Sequence, residues 1–145
     1  KVHGIGDAST HTAIDLPAEA QQYPKAVSEG LKQIAVIGIG GPYALVLGPD
    51  EYFNLLQGRG SGYPPHRVVE RMIGGSIYFS PGITGGVLLS LRGGDFELTI
   101  GQDLSIGYNS HDRENIEFFI YETFTFRVLT PEAAIEFKAT GGKGA

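Results

Sequence analysis

From Phe96 onward the apolar residues of this chain fall on even positions: Phe96, Leu98, Ile100, Leu104, Ile106 and Tyr108. The polar residues Asp95, Glu97, Thr99, Asp103 and Ser105 take the odd ones. After a polar turn at 109–115 the alternation resumes with Ile116, Phe118, Ile120, Phe124, Phe126 and Val128, interrupted in this second run by Glu122. A period of two means a pleated strand with one apolar and one wetter face. Each run is about thirteen residues and at ~3.3 Å per residue extends roughly 40 Å, whereas strands usually stop at roughly 3–10 residues. The two runs predict a long antiparallel ribbon, bent at Gly101.

Such a ribbon needs support. A two-stranded hairpin is marginal in water, and its apolar face must lie against something. The upstream segments have few apolar residues to spare. Cover is therefore expected from a neighbouring subunit or from a part of the fold that precedes Lys1, so the pattern itself points to assembly.

Upstream, the period changes. The first fifteen residues are polar and read as irregular. A helix opens near Tyr23, with Pro24 at a tolerated first position. Tyr23, Val27, Gly30, Leu31 and Ile34 form its buried stripe, and Gly38, Gly40 and Gly41 stop it. The apolar run Tyr43–Leu47, between Pro42 and Gly48, reads as a strand covered on both faces. Pro49 restarts a helix with Asp50 and Glu51 in its first turn, where the helix dipole favours negative charge. Its inward residues are Tyr52, Phe53, Leu55 and Leu56. The glycine-rich loop 58–62 is followed by Pro64 and Pro65, which open a third helix. Its apolar residues are Val68, Val69, Met72 and Ile73, and Gly74 caps it. Strands are expected at 76–79 and 87–91. Helices and strands mix without a βαβ period, which predicts an α+β fold.

Charge and composition narrow the function. The net charge is -5, whereas a nucleic-acid binder needs a basic face to displace counterions from phosphates. The absence of cysteine excludes a disulfide framework, a thiolate metal site and a cysteine nucleophile, and fits a reducing cytoplasm. No apolar run reaches the ~18 residues that would span a membrane. Lys1 opens the chain without a signal-peptide pattern, and reads as the cut end of a longer polypeptide.

The residues that carry chemistry elsewhere do not combine into a catalytic or metal site. Gly38-Ile39-Gly40-Gly41 lacks the preceding strand and following helix of a dinucleotide loop, and the loop 58–62 lacks the Gly-Lys-Ser/Thr ending of a phosphate loop. Ser110, His111 and Asp112 have the residue types of a hydrolase triad. Adjacent in a turn, however, they cannot line up nucleophile, base and orienter. His3, His11, His66 and His111 share no ligand spacing. Asp95, Glu97 and Asp103 read as a solvated strand face, with Arg92 and Arg127 available for cross-strand pairing. No catalytic residue, metal ligand or cofactor is expected.

Five stretches together resemble the encapsulin (linocin-type) shell proteins. They are Gly41-Pro42-Tyr43-Ala44-Leu45-Val46-Leu47, Gly62-Tyr63-Pro64, Arg92-Gly93-Gly94-Asp95-Phe96, the run from Gly101-Gln102-Asp103-Leu104-Ser105-Ile106-Gly107-Tyr108, and Glu122-Thr123-Phe124-Thr125-Phe126. The resemblance spans about Gly30 to Ala134. It implies the HK97-like phage-capsid fold, in which residues 16–94 form an axial-domain-like α+β module. The long strands 95–138 belong to the peripheral domain, 1–15 are its leading segment, and 139–145 form a flexible tail.

The resemblance also implies a function and partners. Copies assemble into a closed icosahedral compartment in the cytoplasm. It encloses a cargo protein, such as a ferritin-like protein or a dye-decolourising peroxidase, bearing a C-terminal targeting peptide. Arg59, Gly60, Ser61, Gly62 and Tyr63 match the family's five-fold pore, where Arg59 would supply a ring of positive charge. Leu104, Ser105 and Ile106 match the region near the cargo-peptide groove, although alternation alone explains Leu104 and Ile106 as strand residues. Encapsulins are nearly twice this length, so the N-terminal arm, spine helix and E-loop would precede Lys1. A viral or prophage capsid protein of the same fold and a hydrolase are the alternatives. Neither nucleic acid nor membrane is an expected partner.

Overall fold

The computed structural model describes residues 4–58 and 62–140. In chain order the elements are α1 (Ile5–Ala8), β1 (Ile14–Leu16), α2 (Tyr23–Val36), β2 (Tyr43–Leu47), α3 (Pro49–Gln57), α4 (Pro65–Ile73), β3 (Ile77–Phe79), β4 (Gly86–Ser90), β5 (Phe96–His111), β6 (Ile116–Val128) and β7 (Ala134–Ala139). Two units result: one runs to Asp95 and resumes at Thr130, and the other is Phe96–Leu129. The mixture is α+β, as the sequence predicts.

In the first unit five strands pair in the order β1-β7-β4-β2-β3. β1 with β7 and β2 with β3 are parallel, while β7 with β4 and β4 with β2 are antiparallel. The register Leu45↔Leu88 and Leu88↔Ile135 sets these side chains in one row, and Leu47, Gly86 and Phe137 form the next. All six are buried. Covering residues come from the helices: Tyr23, Val27 and Ile34 of α2, Leu55 of α3, and Val69 and Ile73 of α4 are all buried as well. Proline opens each of these helices, because its missing N–H falls where no intrahelical partner exists. Gly74 closes α4 in the left-handed conformation (φ 64°), its N–H donating to the Glu70 carbonyl at 3.1 Å.

Three expectations change. The first fifteen residues hold α1 and the start of β1, a three-residue strand that pairs with β7. The ribbon expected over 95–138 ends at Val128. Pro131 cannot donate to a strand ladder, and the Thr130 N–H instead reaches the Asp95 carbonyl at 3.1 Å. β7 then joins the five-stranded sheet, its Ile135 and Phe137 facing the helices. Of the tail expected over 139–145, Ala139 pairs with Leu16 and the Thr140 N–H donates to the Leu16 carbonyl at 3.2 Å, while 141–145 lie outside the described residues.

Candidate functional site

The second unit is a two-stranded ribbon of β5 and β6. Phe96↔Val128, Leu98↔Phe126, Ile100↔Phe124, Ile106↔Ile120 and Tyr108↔Phe118 lie directly opposite one another. Opposite residues share a face, so these pairs build one apolar stripe. β5 carries one extra residue between Ile100 and Gln102, at Gly101, and another between Gln102 and Ser105. Each is a bulge, which slips the register and bends its strand. Two slips restore the even-to-even pairing, and the stripe continues past them. A third shift follows between Tyr108 and Ser110.

No residue of β5 or β6 is buried. Ile106 is 70% exposed, Ile120 66% and Phe124 64%, although these are the residue types that fill cores. The opposite face is more polar at one end, with Arg127 donating to both carboxylate oxygens of Glu97 at 2.9 Å and Thr99 opposite Thr125. Further along that face, Phe119 lies over Gly107, where an added Cβ would collide with the ring, and it stacks 5.7 Å from Tyr121.

Several polar groups of the ribbon pair with one another. Asp112 accepts from the N–H groups of Glu114 and Asn115 at 2.7 and 2.8 Å, which holds its carboxyl below the usual range. Ser110 donates to Glu117 at 2.6 Å, while His111 pairs with the Tyr108 hydroxyl. Ser110, His111 and Asp112 thus face three different partners, and no nucleophile–base–orienter chain forms. Of the carboxylates read as one strand face, Glu97 pairs with Arg127 as expected. Asp95 lies buried just before β5 instead, gripped by Arg92 from the same turn at 2.7 and 2.9 Å. Arg92 is therefore a local partner, because three residues suffice to bring its fork onto both carboxylate oxygens. Among the described residues no group of His, Asp and Glu side chains could hold a metal ion. None of their helices is long and apolar enough to cross a membrane.

Of the residues matched to a pore, Gly62 and Tyr63 are exposed in the first unit, Tyr63 at 71%. Arg59, Gly60 and Ser61 lie outside the described residues. Leu104, Ser105 and Ile106 lie on β5 at and just beyond the second bulge. There the Leu104 N–H donates to the Asp103 side chain at 2.8 Å and the Ser105 hydroxyl to the Asp103 carbonyl at 2.9 Å. The two groups belong to different units.

Residues 1–125 match the family Linocin_M18, encapsulating protein for peroxidase. The chain belongs to this family. Relatives of this Linocin_M18 chain include proteins named type 1 encapsulin shell protein from Rhodospirillum rubrum, Rhodococcus erythropolis and Mycobacterium tuberculosis. They are 44%, 38% and 36% identical over 92% of this chain. The chain spans about half the length of these curated relatives, 48%, 51% and 51% respectively. In fold it is similar to a virus-like particle from Pyrococcus furiosus, with a TM-score of 0.72 and 19% identity over 86% of this chain and 54% of that one. It is also similar to a chain from Mycobacterium phage Che8, with a TM-score of 0.67 and 14% identity over 92% of this chain and 54% of that one. The fold of this Linocin_M18 member is HK97-like.

Proposed function

We propose that this chain is a shell-building part of a type 1 encapsulin. Copies join into a closed icosahedral compartment that holds a cargo protein, and the chain itself catalyses no reaction. The apolar stripe of the ribbon carries the proposal, since a soluble chain rarely leaves such a surface open unless another polypeptide covers it. The first unit then corresponds to the axial domain and the ribbon to the peripheral domain. A cytoplasmic compartment suits a chain without cysteine. The family description names peroxidase as the enclosed protein. Dye-decolourising peroxidases and ferritin-like proteins with a C-terminal targeting peptide are the cargo class proposed here, and Leu104, Ser105 and Ile106 are proposed to touch that peptide. The phage-capsid alternative shares the fold, but the relatives at 36–44% identity are named as encapsulin shell proteins.

The test is electron microscopy of the purified chain. It is imaged alone and together with a second polypeptide supplying the part of the relatives' length that this chain does not span. Uniform closed particles are expected in at least one preparation, and a lone monomer in both at high concentration overturns the proposal. In closed particles, Arg59→Glu is expected to slow the passage of small anions while sparing neutral solutes. Equal anion flux in both proteins removes the ring of charge at 59–63.

A further inference from the structure

We propose that the polypeptide covering the even face of the ribbon presents a Lys or Arg to Glu122, and that this cover is the part of the fold which the relatives carry and this chain does not span. The inference rests on the reading of the ribbon as a covered surface, and gives the chemistry of its cover. β6 is regular across its middle, where Ile120 lies opposite Ile106 and Phe124 opposite Ile100. Side chains two apart on a strand share a face, so Glu122 stands between Ile120 and Phe124 inside the apolar stripe. It is exposed, and no ion pair reaches it among the described residues. The carboxylate on the other face differs, since Arg127 of β6 neutralises Glu97 of β5 at 2.9 Å.

The stripe holds no cation for Glu122. The second bulge sets Asp103 and Leu104 against it, between the pairs Gln102↔Thr123 and Ser105↔Tyr121. Asp103 carries the same charge, and its carboxylate accepts from the Leu104 N–H at 2.8 Å. His111 sits opposite Ile116 at the far end and pairs with the Tyr108 hydroxyl. No Lys or Arg occurs among the residues of the stripe. In water Glu122 needs no partner, but a cover that desolvates Ile120 and Phe124 also desolvates the carboxylate between them. A carboxylate taken out of water without an opposite charge is strongly unfavourable, so the cover must bring one. The same argument selects the cover. Two even faces packed together would join carboxylates with no Lys or Arg, which excludes that face of a second copy. The fold offers another source, because this chain covers only 54% of each of the two similar solved chains and about half of the curated relatives. A two-stranded ribbon is marginal alone, so its cover belongs with the rest of that fold.

The part of the Rhodospirillum rubrum relative that this chain does not match is co-expressed with the intact chain as a second polypeptide. The complex is purified, and its dissociation on dilution is followed by sedimentation velocity. Glu122→Leu should raise the dissociation constant roughly tenfold or more, the scale of leaving a buried charge without its partner, and Glu122→Lys should raise it further. Glu114→Leu, which removes the same charge at the exposed turn of the ribbon, should leave it unchanged. Each Lys and Arg of the second polypeptide is then changed to Glu in turn, and one reversal should restore binding to Glu122→Lys, a rescue that a merely apolar contact would not give. Equal or tighter binding by Glu122→Leu, or no rescue by any reversal, overturns the proposal, as does the absence of a complex with the unaltered chain. Self-association of the chain alone that depends on Glu122 in the same way would move the cation to another copy and overturn the assigned cover. A complex that behaves as expected but never closes into particles would sink the shell reading alone, whereas closed particles formed equally well by Glu122→Lys would sink the pairing alone.

Discussion

Both units contain strands that alternate apolar and polar residues, but they dispose of their apolar faces differently. In the five-stranded sheet, Leu45, Leu88, Ile135 and Phe137 are completely buried beneath three helices of the same chain. In the ribbon, equally apolar residues at equally regular spacing stay open, with Ile106 and Ile120 about two-thirds exposed. Alternation therefore specifies that a face must be covered without saying by whom. The first unit supplies its own cover, whereas the proposal gives the ribbon its cover from a neighbouring subunit or from a part of the fold that precedes Lys1. Stability should be sensitive to substitutions in the sheet, and assembly to substitutions in the ribbon.

The largest effect on folding is expected in the sheet. Phe137→Ala removes a fully buried ring and should cost about 3–5 kcal/mol, measured by denaturant unfolding. A loss as small as a surface substitution gives would break the contrast between the units.

An intermediate effect belongs to the junction at Asp95. Arg92 beside it, chiefly through their hydrogen bonds, holds the Asp95 carboxyl below the usual carboxylate range. A carboxyl with a depressed folded-state pKa stabilises the fold above its unfolded pKa, about 4. That contribution is lost as pH falls through the lower, folded value. Thermal unfolding followed from neutral to acid pH should therefore show an acid-side loss that is smaller in Arg92→Ala, whose stability at neutral pH starts lower. Parallel curves for the two proteins would remove the junction's role.

The smallest effect on folding, and the largest on association, is expected from the ribbon. Ile106→Glu and Ile120→Glu should change unfolding stability by no more than about 0.5 kcal/mol. Both should prevent assembly, because each places a charge in a face that another polypeptide must desolvate. Sedimentation velocity separates the outcomes, and assembly that survives both charges would assign the covering contact elsewhere.

Much of this organisation was legible from local signals. The helices α2, α3 and α4 announce themselves by proline at their starts and glycine after their ends, and β5 and β6 by their period-two alternation. What escaped was settled by distant partners. β1 has only three residues and is a strand because β7, more than a hundred positions later, pairs with it. Residues 134–139 continue a period-two pattern, so Ile135 and Phe137 resemble an extension of the ribbon. Only Pro131 marks the break, and a single proline does not say which sheet the next strand joins. The bulges were half visible: Gly101 marks the first, while the slip between Gln102 and Ser105 has no comparable residue. Arg92 was available on paper to a cross-strand acid, but Asp95 lies nearer.

The central claim is that another polypeptide covers the even face of the ribbon, and the chain's lack of cysteine allows it to be tested at one atom. A single Ile106→Cys substitution is labelled with a maleimide in dispersed and in assembled protein. The account predicts rapid labelling of the dispersed chain and strong protection in the assembly. Equal labelling rates in both states would contradict it.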